Sequence, residues 1–161
     1  MKIVFHLLFI FLVTLLEKTE LLGKIFLTPT LCFVIFFSTF KNKISLLWPI
    51  LGGLFLDFFS IFKIPIFTIS FLLTFLIINF ANEKIFTTKN FLSFIIFSAG
   101  GVILYNLIFL IINFIAYLLK IDKFFISFNS KYFLSIFSNT VFTLFLLSVF
   151  RKKYEEYFPK L

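Results

Sequence analysis

Of the side chains that most often ligate metals or carry acid–base chemistry near neutral pH, the 161 positions offer one cysteine, one histidine and seven acidic residues. Cys32 stands alone inside an apolar run, which excludes an intramolecular disulfide and a thiolate metal cluster. No Gly-rich loop precedes a lysine to cradle phosphate, no two carboxylates share a site, and no Ser-His-Asp set is spaced for nucleophilic catalysis. His6 and Asp57 lie in different apolar runs, and nothing in the pattern places them together. Polar segments are short as well, leaving no room for a soluble catalytic domain between the runs. These absences point to a non-enzymatic protein without catalytic residues, cofactor or metal.

What is present is apolar. Hydrophobic residues make up 61% and charged residues 14%, with a mean hydropathy of +1.15. A soluble domain of this size would expose far more apolar surface than water permits. The expected fold is therefore an all-α membrane protein, a single transmembrane domain over 1–161. Its six spans are expected at about 3–22, 25–40, 46–62, 66–81, 91–119 and 132–150. The 31 phenylalanines, with lysine far outnumbering Arg151, the only arginine, resemble the drift of an AT-rich genome and carry no ligand signal. The net charge of +8 comes from basic clusters between apolar runs, which suit a lipid bilayer surface rather than nucleic acid.

The first run, Ile3–Leu16, has the shape of a signal peptide, but no small-x-small cleavage site follows, so an uncleaved helix to about Leu22 is expected. His6 is expected at headgroup level. In the second run, Thr28-Pro29-Thr30 marks either a helix start that leaves a short span or a kink in a longer one. Ile61-Phe62-Lys63-Ile64-Pro65 reads as a tight connection, with Pro65 opening the fourth helix, and Ile85-Phe86 as a short interfacial turn. The fifth run exceeds what a bilayer needs, which implies tilt, a kink at Ala99-Gly100-Gly101, or protrusion. Asn106 and Asn113 are expected to hydrogen-bond adjacent helices. Ser135, Ser138 and Asn139 give the last span a small polar face before Arg151-Lys152-Lys153 ends it.

The third run carries the only acid inside any apolar stretch. At 100° per residue, Pro49, Gly53, Asp57 and Ser60 share one stripe, with Gly52 beside them. Small residues admit a close neighbour and the carboxyl needs a polar partner, so these five are the expected helix-contact or partner-binding residues. Insertion tolerates the acid: an Asp costs about 3 kcal/mol, while the run's Leu, Ile and Phe residues return about 5 kcal/mol. A water-filled cleft or Lys63 could relieve the rest. With six spans and the N-terminus inside, nine cations (Lys2, Lys41, Lys43, Lys84, Lys89, Arg151, Lys152, Lys153, Lys160) face six outside (Lys18, Lys24, Lys63, Lys120, Lys123, Lys131). Both termini are expected in the cytoplasm.

Leu51-Gly52-Gly53-Leu54-Phe55-Leu56-Asp57-Phe58-Phe59-Ser60 resembles the Gly-x(3)-Asp-x(2)-Ser signature in the third span of the bacterial rod shape-determining MreD family. Phe26-Leu27-Thr28-Pro29-Thr30 resembles that family's Arg-Pro-Asn/Asp entry to the second span, keeping the Pro without the Arg. Ser138-Asn139 followed by an apolar run and Arg151-Lys152-Lys153 resembles its last helix and basic tail. After Ser60, only the proline of the family's Gly and Pro/Thr-Leu-Gly turn is kept, as Pro65. Pro29 and Asn139 are thus family-motif positions by resemblance. The resemblance implies a scaffold of the cell-elongation machinery in the bacterial inner membrane. Its implied partners are MreC and, directly or indirectly, MreB, RodA and a class B penicillin-binding protein, in support of peptidoglycan synthesis. It also implies a fold similar to the six-helix substrate-binding subunits of energy-coupling-factor transporters. Two rival functions remain at this stage: a vitamin-binding subunit of such a transporter, and a small ion-coupled carrier using Asp57.

Overall fold

Residues Pro29–Ser38 form the helix around which the others close. A computed structural model describes residues 2–17, 27–39, 43–84, 91–122 and 130–157. Among them the chain forms six α-helices and no strand: α1 (Lys2–Glu17), α2 (Pro29–Ser38), α3 (Gly53–Phe58), α4 (Ile66–Lys84), α5 (Phe91–Leu118) and α6 (Ser130–Tyr157). A 3-10 turn (Lys43–Leu46) and a π-turn (Trp48–Gly52) lead into α3. Every α2 residue except Phe33 is buried. The helix packs against α1, α4, α5, α6 and the π-turn before α3. At 1.5 Å per residue its 10 residues rise only about 15 Å, half the thickness of a bilayer core.

The all-α class stands, while six full-length spans are not supported. Among the described residues two apolar segments are long enough to cross a membrane, Ile95–Leu118 and Tyr132–Val149, and the other apolar segments described run 10–17 residues. The physical reason is clearest in α2. It begins at Pro29, with no helical residue at Leu27 or Thr28, and it ends where Ser38 and Thr39 donate their hydroxyls to the carbonyls of Ile35 (2.6 Å) and Phe36 (2.8 Å). α3 likewise stops at Phe58 rather than Phe62, as Ser60 turns the chain away. Expected span residues 18–22, 25–26 and 40, and the turn at 85–86, lie outside the described residues.

Ring contacts give the helix directions. His6 meets Phe37 (6.1 Å) and Phe9 meets Phe33 (5.3 Å), so α1 and α2 are antiparallel. Phe67 meets Phe109 (5.4 Å) and Phe71 meets Tyr105 (5.1 Å), so α4 and α5 are antiparallel too. Asn82 donates to the Thr39 carbonyl at 3.0 Å, which brings the C-terminal ends of α2 and α4 together. At the hub, Trp48 is fully buried and stacks on Phe33 and Phe37, each at 4.8 Å, with Phe9 edge-on at 5.7 Å. The outward faces carry Leu, Ile and Phe, such as Leu8, Phe80, Leu107 and Phe137.

α5 runs unbroken through Ala99-Gly100-Gly101. Gly101 lets the helix close on α2 and α4, since a Cβ there would sit 3.0 Å from both Ile35 and Ile78; Gly100 faces open space. The helix ends with Lys120 at φ 56°, whose N–H reaches the Tyr117 carbonyl (2.9 Å) while the Ile121 N–H reaches Ala116 (3.0 Å). This is a Schellman end built on lysine instead of glycine. It delivers Asp122 to the connection before α4, where the carboxylate accepts the Lys63 N–H at 2.7 Å.

Candidate functional site: two helix starts capped from afar

Two helices begin at a proline, and each takes its cap from a distant part of the chain. α4 follows Pro65, which has no side-chain oxygen to cap the exposed N–H groups of the first turn. Asp57 of α3 supplies the missing acceptor. One carboxylate oxygen accepts the Phe67 N–H (2.9 Å), and the other accepts both the Thr68 N–H (2.8 Å) and the Thr68 hydroxyl (2.6 Å). A negative group is favoured at a helix N-terminus, where the helix dipole is positive. Both carboxylate oxygens of Asp57 thus have protein donors, while the backbone N–H of Lys63 goes to Asp122.

Gly53 stands one turn before Asp57 and serves the same neighbour. A Cβ on Gly53 would collide with the Thr68 backbone, lying against its Cα and 2.8 Å from its nitrogen. Close backbone approach and carboxylate capping therefore act on one residue of α4. Gly52 faces elsewhere: a Cβ there would lie 2.7 Å from Thr30 Cγ2 of α2. Ser60 lies past the helix end, donating its hydroxyl to the Asp57 carbonyl (2.9 Å) and accepting the Phe62 N–H (3.3 Å). Pro49 is buried within the π-turn, which itself packs against α4. The five residues expected on one stripe thus divide among α2, α4, the π-turn and the following bend.

The second junction is at the start of α2. Thr28 occupies the N-cap position without capping its own helix. Its N–H (2.8 Å) and hydroxyl (2.9 Å) both go to the amide oxygen of Asn139 on α6, which also faces the Cys32 thiol at 3.3 Å. The Asn139 amide nitrogen is held by the Ser135 carbonyl (2.8 Å) and hydroxyl (3.2 Å). From the end of α1, the Glu17 carboxylate accepts the Thr30 N–H at 3.0 Å. Pro29, at the first helical position, is buried between these contacts. Asn82 meets Thr39, and Gly101 lies against both Ile35 and Ile78, so α2 and α4 run parallel and their starts lie toward the same end of the bundle.

Two expectations need correction, and His6, in the second turn of α1, is buried against Phe37. Asn106 bonds within its own helix, to the Val102 carbonyl at 2.7 Å, because that acceptor is one turn away. Asn113 is fully buried with neither amide atom hydrogen-bonded. Sequence reasoning also missed Glu17, Thr28 and Thr68. Thr28 adjoins Pro29 and Thr68 stands three positions after Pro65, hydroxyls near helix starts that prolines leave uncapped, whereas Glu17, twelve positions before Pro29, had no local signal. Comparison with known proteins finds no matching family model, no matching curated protein and no matching solved structure.

Proposed function

We propose that this chain is a non-enzymatic integral membrane scaffold of the MreD type, a multi-pass protein of the bacterial inner membrane with both termini in the cytoplasm. In this reading it binds MreC and helps to organise lateral peptidoglycan synthesis with MreB, RodA and a class B penicillin-binding protein. The observation that carries the reading is the meeting of Thr28-Pro29 with Asn139, 111 positions after Thr28. The resemblance rests on separate short motifs, and two of them adjoin in space. The third motif has a common physical purpose as well: Gly53, Asp57 and Ser60 all shape the turn from α3 into α4. Residues that order helices in this way suit a rigid platform for partner spans. The outward apolar faces of α1, α4, α5 and α6 supply surface for lipid and for such spans.

Affinity purification of the tagged chain from its native membranes in mild detergent tests this. MreC is expected to be enriched with it, and the purified protein is expected to show no thermal shift with thiamine, riboflavin or biotin. A bound vitamin at a hundredfold excess over its Kd would stabilise the protein by about 2.7 kcal/mol. Recovery of transporter ATPases, or a saturable shift with one vitamin, would replace the scaffold with the transporter reading.

A further inference from the structure

The apolar belt of the bundle is not equally tall on every side. On α1 the exposed apolar side chains run from Val4 to Leu16. In the sequence this run is bounded by Lys2 and by Glu17, Lys18 and Glu20. At 1.5 Å per residue, Ile3–Leu16 rises about 21 Å. The segment through the π-turn and α3 stands beside it and runs the same way, with Phe9 against Trp48 (5.7 Å) and Phe11 against Phe55 (5.5 Å). Its exposed apolar side chains, from Leu46 through Leu54 to Phe59, rise about 20 Å. The two segments thus form one low face.

The far side is taller. α5 packs on α4, α6 and α2, whereas α1 packs on α2, the π-turn and α3. The apolar segment of α5, Ile95–Leu118, rises about 36 Å, and that of α4, Ile66–Asn82, about 25 Å. A bilayer core is about 30 Å thick, so the face of α1 and α3 falls short by about 10 Å. α5 exceeds the core and can tilt to fit, but tilt only lowers a stretch that is already short. Nor can the side chain at the Leu16 end snorkel outward. The Glu17 carboxylate accepts the N–H of fully buried Thr30 at 3.0 Å, which directs it into the bundle. A second chain laid against the face would cover its side and leave its height unchanged. What remains is a thinner bilayer.

Resting on the membrane reading above, we propose that the face of α1 and α3 holds the adjoining bilayer thin and is fitted by phospholipids with short acyl chains. The protein then stands on a step in the membrane, thinned beside α1 and close to ordinary thickness beside α5. Longer acyl chains increase the mismatch at the low face and reduce it at α5, so a preference for short chains arises at α1 and α3.

The test uses the full chain reconstituted in phosphatidylcholine bilayers with 14-, 18- or 22-carbon monounsaturated chains. In a Cys32→Ser background, Val4→Cys, Leu8→Cys and Leu16→Cys on α1, and Ile96→Cys, Leu107→Cys and Leu118→Cys on α5, each carry a nitroxide. Its relative access to oxygen and to a water-soluble nickel complex gives its depth. In 18-carbon bilayers the labels at 4 and 16 are expected at headgroup depth with that at 8 in hydrocarbon between them. Those at 96 and 118 are expected at headgroup depth on either side of 107. The thermal midpoint of the unlabelled parent chain is expected to be highest with 14-carbon chains and to fall with each lengthening. A label at 4 or 16 as deep as that at 8 would overturn the proposal, as would a midpoint equal in all three bilayers or highest with the longest chains. A label at 8 shielded from oxygen would overturn it too, since protein rather than lipid would then cover the face. A chain that stays soluble once detergent is removed would fail the membrane reading itself, a result separate from any preference for chain length.

Discussion

Thr68 is met twice by a single turn of α3, by the bare backbone of Gly53 and by the carboxylate of Asp57. The two contacts fail differently when altered. Gly53→Leu drives a side chain into backbone, which cannot rotate aside, and overpacking of this kind costs about 1–3 kcal/mol or more. Asp57→Leu removes the acceptor for two N–H groups and a hydroxyl, at about 1–3 kcal/mol for each donor left buried without a partner. Partial exposure of Asp57 brings its total toward the lower end. Asp57→Asn keeps one oxygen and is expected to be the mildest. Thermal midpoints in detergent should rank the parent chain first, then Asp57→Asn, with Asp57→Leu and Gly53→Leu lowest. An Asp57→Leu protein as stable as the parent would mean that the cap contributes nothing to the junction.

At the scale of elements, α2 is the short piece that the longer helices enclose, and its first turn is held by side chains from α1 and α6. Asn139→Leu leaves the Thr28 N–H and hydroxyl without their acceptor and frees the end of α2. Cys32 is fully buried beside that amide, so it reports directly on the loosening. Maleimide labelling in native membranes is expected to be negligible in the parent chain and measurable in Asn139→Leu; equal labelling would show that Asn139 does not hold the helix. The helical class was legible because apolar runs separated by charged residues leave little alternative. Pro29 announced the start of α2, and Gly53 and Asp57 announced a close contact. Their neighbours were not legible, since helical periodicity gives the face of a residue but not which helix lies against it. The lengths misled for a related reason: Ser38, Thr39 and Ser60 end helices through local hydroxyl bonds that an apolar count cannot register. Nor does composition explain why Asn113 is enclosed without a hydrogen bond.

For the whole molecule, helix directions and charge bear on the same question of orientation. If both termini lie in the cytoplasm, a cysteine at position 122 in a Cys32→Ser background is expected to react with an impermeant maleimide in intact cells. A cysteine at position 161 is expected to react only after the membrane is opened. Labelling of position 161 from outside would reverse the assignment. The hub also equips the protein with its own optical reporter. Trp48 is the only tryptophan, enclosed by Phe9, Phe33 and Phe37 where α1, α2 and the π-turn meet, and its indole N–H has no hydrogen-bond partner. Its fluorescence should be blue-shifted in the folded protein and move to longer wavelength as the three segments part. Unlabelled protein can thus reveal whether a substitution at a distant junction has reached the centre.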